Sequence, residues 1–275
     1  MSLLSREELR IALSPHRVIL LVRRGRRVAQ RRVLDVAVAN TSEEPWRPAL
    51  RALDAALPDF ARNGRDCTVV LSNYFTQYAL VPASEHLMSD WEETAYVRVV
   101  FAKALGSAAD TLAFRLADDG KMRVASAVSQ AMLDSLRETL SRHKLRLAAV
   151  EPLLMATFNR WRARIKAKTA WFVLAEEDRL CLGLLHRERW RSLRTVRAGA
   201  DWIEQLPNLL EREILLIDAD DIDRSKPVTV YLCAPGREEL RPGGTLGANT
   251  QLLALSARDG YDAVLDADYA MAWGT

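Results

Sequence analysis

Long hydrophobic runs, signature catalytic strings and clustered metal ligands are all missing from this 275-residue sequence. The longest apolar stretches, such as Val18 to Val22 and Val69 to Leu71, fall far short of the roughly 20 residues a helix needs to cross a bilayer, so no transmembrane segment is expected. The opening MSLLSREELRIALSP lacks a basic segment followed by an apolar run, which argues against a secretory signal. Ser5 and Glu8 stand instead at the spacing of a helix capping box, the start of mature, cytosolic structure. Cysteine is scarce: Cys67, Cys181 and Cys233 are odd in number, far apart and each set in an apolar run, which points to reduced core thiols. His16, His86, His143 and His186 are isolated from other ligands, so no metal is expected. Asp218, Asp220, Asp221 and Asp223 lack the turn glycine and closing glutamate of a calcium loop and read as a solvated acidic stretch. No P-loop, dinucleotide, nucleophile-elbow or H-E-x-x-H string occurs. An excess of one charge is missing too, with 39 basic against 36 acidic residues, so whole-chain charge gives no reason to invoke nucleic acid.

What is present is the composition of a globular chain, 49% apolar and 27% charged, long enough for two lobes. The stretch Thr68 to Pro82, TVVLSNYFTQYALVP, reads as two β-rich runs paired about Ser72-Asn73. It feeds a helix from Ser89 to Leu105 that opens on the capping box Ser89-x-x-Glu92. Ahead of it, RVILLVRRGRRVAQRRVLDVAVA predicts a hairpin about Arg24-Gly25-Arg26, then a helix with Thr41 and Glu44 at box spacing. Behind it come TLAFRLA and KMRVASAV about the turn Asp118-Asp119-Gly120, a helix from Ser129 to about His143, a strand at Leu145 to Val150, and a helix led by Pro152 and running to about Ile165. The second half repeats this order: TAWFVLA, LCLGLLH and RWRSLRTV as strands, a helix from about Ala200, then VTVYLCA, a buried strand ending in Pro235-Gly236 at a crevice. Asn249 to Leu255 is a further candidate strand, Gly243-Gly244 marks an irregular loop, and Asp268 to Trp273 is a terminal helical turn. The recurrence is one of architecture, without a repeated sequence.

One charge feature stands out, the hairpin carrying Arg17, Arg23, Arg24, Arg26, Arg27, Arg31 and Arg32. It suits an anionic partner or ordinary solvation, and the absence of interleaved aromatics argues against nucleic acid. On the Ser89 helix, Trp91, Tyr96 and Phe101 include candidate exposed docking residues, although Val97, Val100, Phe101 and Ala104 form a core stripe.

The order of these elements, with TVVLSNYFTQYALVP, SDWEETAYVRVVFAKAL, LRLAAVEPLLMATFN, WFVLAEEDRLCLGLLHRERWRSLRTVRAGADWIEQL, VTVYLCAPG and DADYAMAWG, resembles the PilM family of type IV pilus assembly and its relatives MshI and the GspL cytoplasmic domain. The resemblance implies an α/β, actin-like fold, a duplicated ribonuclease-H-like unit. Its first lobe would span residues 1–167 with an inserted subdomain at about 88–128, and its second lobe 168–275, with a hinge near Lys166 to Thr169. It also implies a cytoplasmic protein peripheral to the inner membrane, partnered by a PilN-like single-span protein, with a secretion ATPase as a further candidate partner. Against the family's phosphate-binding turns, this chain offers Val22-Arg23-Arg24-Gly25-Arg26, Ala175-Glu176-Glu177-Asp178, Ala198-Gly199-Ala200 and Ala234-Pro235-Gly236. These supply few backbone amides that can approach phosphate, and Pro235 has no amide hydrogen. The expectation is therefore a non-catalytic scaffold, a pseudo-ATPase holding no cofactor, with partner anchors near Tyr74, Tyr78 and Trp91 and an electrostatic patch at Arg23, Arg24, Arg26 and Arg27. The alternatives are an active actin-like ATPase or sugar-kinase-like enzyme, and a nucleic-acid binder acting through the arginine hairpin.

Overall fold

The computed structural model describes residues 7–37, 43–82, 89–117, 122–217, 222–223, 226–237, 240, 246–247, 249–255, 261–262 and 265–273. Two five-stranded sheets of identical topology dominate it. In the first the order is β3 (Arg27–Asp35), β2 (Arg17–Arg24), β1 (Glu7–Leu13), β4 (Asp66–Leu71), β8 (Arg146–Pro152). In the second it is β11 (Arg189–Arg197), β10 (Arg179–His186), β9 (Thr169–Ala175), β12 (Thr229–Cys233), β13 (Thr250–Leu252). Each sheet begins as an antiparallel three-stranded meander and continues as parallel strands from its first strand.

The strands are central because both faces are apolar, as the interior of a covered sheet requires. Along β1, Leu9, Ile11 and Leu13 face a core shared with α1 (Arg47–Ala56) and α3 (Gln130–Arg142), while Ala12 faces the other way. That second face, with Ile19, Leu21 and Val70, merges through α4 (Leu153–Trp161) with Phe172, Cys181, Leu185 and Trp190 of the second sheet. One continuous core thus joins the two lobes. The outer face of the second sheet packs Trp171, Leu182 and Leu232 under α5 (Trp202–Leu215). The helical turn Ala267–Trp273, within the stretch assigned to the second lobe, returns to the first: Arg10 Nε donates to the Ala272 carbonyl at 2.8 Å.

A smaller sheet, β5 (Thr76–Pro82), β7 (Met122–Ser129), β6 (Leu112–Leu116), carries α2 (Asp90–Leu105) over Val81, Ala125 and Ala127. The expected capping box of α2 is formed: Ser89 Oγ accepts the Glu92 amide at 3.3 Å and the Glu92 carboxylate accepts the Ser89 amide at 3.0 Å. The three cysteines are buried and none is in a disulfide.

Several expectations are corrected. Glu7–Leu13 is a strand where a capped helix was expected, because its alternating apolar residues are claimed on both edges by β2 and β4. The two runs of Thr68 to Pro82 do not pair with each other: β4 lies between β1 and β8, whereas β5 pairs with β7. The turn Arg24-Gly25-Arg26 joins β2 to β3 and therefore lies at the opposite end of β2 from the β1–β2 turn, which is Ser14-Pro15-His16. Helix α1 begins at Arg47 with Trp46 at its cap and no side-chain bond there. Ser5, Thr41, Asp118-Asp119-Gly120, Asp218, Asp220, Asp221 and Gly243-Gly244 lie outside the described residues.

Candidate functional site

Both sheets empty their first turns into one inter-lobe cleft. Ser14-Pro15-His16 comes from the first lobe, with the Ser14 hydroxyl closing the turn by accepting the Arg17 amide at 3.0 Å. Glu176-Glu177-Asp178 comes from the second, closed by the Glu176 amide on the Arg179 carbonyl at 2.8 Å. Strand β12 contributes Pro235 and Gly236, the latter at φ +77°, where glycine is at home. Together these turns line an opening of about 340 Å³.

The floor of this cleft is fastened by side chains. Ser72 donates its hydroxyl to Glu176 Oε1 at 2.6 Å, and the Asn73 amide donates to Glu176 Oε2 at 3.0 Å. Asn73 Oδ1 in turn accepts the Tyr78 hydroxyl at 2.6 Å and the Leu154 amide at 3.2 Å. Beside them the Arg179 guanidinium lies 4.1 Å from the centre of the Tyr74 ring, close enough for cation–π attraction. Glu176 and Arg179 therefore grip Ser72, Asn73 and Tyr74 across the lobe boundary. Burial pushes the Glu176 carboxyl above its ordinary value, against the hydrogen bonds from Ser72 and Asn73 that favour its charged form. The Tyr78 hydroxyl is pushed well above its usual range by burial.

This chemistry is poorly suited to a phosphate chain. The β1–β2 turn contains no glycine and includes Pro15, and the β9–β10 turn presents three successive carboxylates, one of them already taken by the first lobe. Arg17, the nearest first-lobe cation, lies 3.4 Å from Asp35 and 3.7 Å from Asp268.

The sequence-predicted site residues do not converge. Tyr74 and Tyr78 take part in the clasp and its supporting core and are half-buried, while Trp91, at the start of α2, is 77% exposed. In the arginine hairpin, Arg23 stacks on Trp273 at 4.1 Å, Arg24 reaches Glu7 at 3.8 Å, Arg32 pairs with Asp59 at 2.6 Å and Arg31 pairs with Asp266. Much of the expected patch is thus engaged within the molecule, while Arg26 and Arg27 are exposed at the turn. The Glu176 clasp was not foreseen. Its partners are 104 and 103 positions away, and nothing local marks the pairing.

No protein-family model and no curated protein matches the sequence. Solved structures do. A chain of the PilM-PilN type IV pilus biogenesis complex aligns with a TM-score of 0.65 at 15% identity, over 98% of this chain and 97% of that one. The cytoplasmic domain of EpsL, an inner membrane component of the Vibrio cholerae type II secretion system, aligns with a TM-score of 0.57 at 14% identity, over 96% and 97%. A Bacteroides thetaiotaomicron protein of unknown function with an actin-like ATPase fold aligns with a TM-score of 0.59 at 9% identity, over 98% and 96%. The duplicated sheets and these end-to-end alignments lead to one conclusion: the chain has the two-lobed actin-like fold, in the form shared with a chain of the PilM-PilN complex and with the EpsL cytoplasmic domain.

Proposed function

We propose that this chain is a non-catalytic scaffold of a pilus or type II secretion assembly platform, working beside the inner membrane and binding the cytoplasmic tail of a single-span, PilN-like partner. The observation that carries the non-catalytic part is Glu176. Glu176, the first of the three carboxylates this turn could offer a metal or a water, instead ties the second lobe to Ser72 and Asn73. A core running unbroken between the lobes favours a fixed body over a clamp that opens and closes around substrate. Titration with ATP and magnesium in a calorimeter is expected to give no saturable heat up to millimolar nucleotide. Tight binding followed by phosphate release would establish the ATPase alternative.

The platform part is supported by the full-length alignments with a chain of the PilM-PilN complex and with the EpsL cytoplasmic domain. A short tail gains affinity from backbone pairing or a few apolar anchors, with charge steering encounter. We place its docking site beside the three-stranded sheet, with Trp91 as the exposed aromatic available there and Tyr74 and Tyr78 shaping the wall behind it. Because an interface hot spot is worth about 2 kcal/mol or more, Trp91→Ala is expected to weaken a tail peptide from the candidate partner about 30-fold in fluorescence anisotropy. Its melting temperature should stay that of the parent, since Trp91 is outside the core. Unchanged affinity would remove α2 from the interface.

A further inference from the structure

The end of the second sheet opposite the cleft gathers exposed cations. The β10–β11 turn is Arg187-Glu188, enclosed by the paired residues His186 and Arg189. It is joined to the start of β9 by the Arg187 amide donating to the Lys168 carbonyl at 2.7 Å. The short helical turn Arg162–Arg164 and Lys166 complete the cluster, Arg162, Lys166 and Glu188 bordering one opening of about 330 Å³. All six cations, Arg162, Arg164, Lys166, Lys168, Arg187 and Arg189, are exposed. Among the described residues no ion pair engages the last five of them, and Glu188 is the carboxylate in their midst. In a chain whose charge is only +3, this is a local concentration of one sign.

The turn itself is unusual. Arg187 has φ +51° and Glu188 φ +61°, left-handed values that two-residue hairpins reserve for Asn and Gly because a side chain there crowds the backbone. The sequence tolerates that strain at the point where Arg187 projects into solvent.

We infer that this basic end is a membrane-contacting surface that rests on anionic lipid headgroups. The choice of a bilayer over an acidic protein rests on the proposed function, which brings the chain beside the inner membrane, whose cytoplasmic leaflet attracts basic segments. A partner's juxtamembrane tail is itself enriched in Lys and Arg, so it is repelled from this face and left to the α2 side. The neighbouring aromatics, Trp161 and Trp190, are buried, so the surface offers no platform on which bases could stack. Charge is left as the means of recognition.

The test is flotation of the purified full chain with vesicles of phosphatidylcholine alone or with 40% phosphatidylglycerol, at low and high salt. Binding is expected only to the anionic vesicles, and to be lost at high salt as the charges are screened. Each cation close to such a surface contributes about 1 kcal/mol, so Lys168→Gln with Arg189→Gln should lower the partition coefficient about 30-fold. Arg26→Gln with Arg27→Gln on the other lobe should leave it unchanged. Failure of the parent to float with anionic vesicles at low salt, or equal binding by the two double variants, overturns the assignment. Capture of a poly-glutamate peptide without vesicle binding also overturns it, in favour of an acidic polypeptide. Tail-peptide affinity, measured without lipid on the same Lys168 and Arg189 variant, separates the two readings: lost flotation with intact tail binding supports the surface. Intact flotation by the parent with no tail binding removes the scaffold reading alone.

Discussion

Trp190→Ala is expected to destabilise the folded chain by about 3–5 kcal/mol, the usual cost of deleting a large aromatic from a close-packed interior. Trp190 is 1% exposed, with Phe158 at 4.6 Å and Phe172 at 6.5 Å between ring centres. It sits where α4, descending from the first lobe, meets the inner face of the second sheet, so the cavity would open in the core shared by both lobes. The site is also sensitive to added volume. A Cβ on Gly183, which faces Leu193 across the ladder, would run into the Trp190 ring, so Gly183→Ala must displace the indole and is expected to cost about 1–3 kcal/mol. Urea unfolding followed by circular dichroism checks both. A Trp190→Ala loss below about 1 kcal/mol would mean that the lobes do not depend on this contact.

The clasp gives the second large effect. Asn73 is 1% exposed and its carbonyl oxygen accepts both the Tyr78 hydroxyl and the Leu154 amide. Asn73→Ala strands two buried donors, each at about 1–3 kcal/mol, so about 2–6 kcal/mol of stability should be lost. Tyr78→Phe removes one donor with its bond and should cost less. Glu176 adds a pH signature. Burial raises its carboxyl above the ordinary 4.5, with the Ser72 and Asn73 bonds opposing and Asp178 assisting the rise. The folded chain therefore holds this proton at a pH where the unfolded chain has released it. Its contribution is largest below the ordinary carboxylate value, declines as pH rises through the folded value, and is constant above that. Glu176→Gln mimics the protonated form, so its unfolding free energy relative to wild type should grow between about pH 4.5 and neutrality. A difference that stays flat across that range would show that the carboxylate is ionised at no cost in the fold.

Much of the fold was legible from local pattern. The runs at β2, β9, β10 and β12 are too apolar for surface strands, Ser89 and Glu92 specify the start of α2 through two reciprocal hydrogen bonds, and the repeated order of strands and helices predicts two lobes built alike. These features are set within a few residues by side-chain periodicity and by amides that local side chains satisfy. The basic hairpin was legible as charge, yet its environment was not: Arg23, Arg31 and Arg32 find Trp273, Asp266 and Asp59 only after the chain has folded back.

The tertiary structure decided the rest because the deciding partners are distant. Glu7–Leu13 carries a plausible helix start and a plausible strand alternation, and pairing on both edges, with β2 and β4, selects the strand. That choice moves the cleft turn from Arg24-Gly25-Arg26 to Ser14-Pro15-His16, since one added strand reverses which end of the sheet each turn occupies. Likewise Ser72-Asn73 has the composition of a hairpin turn, but β4 and β5 diverge into different sheets because each finds its ladder partners far along the chain. The sequence by itself therefore determined most of the strands and helices, Glu7–Leu13 excepted, the doubling of the unit and the scarcity of phosphate-binding turns. Only the folded chain could bring Glu176 onto Ser72 and Asn73, because a hydrogen bond spanning 104 residues leaves no periodicity for a local reading to detect.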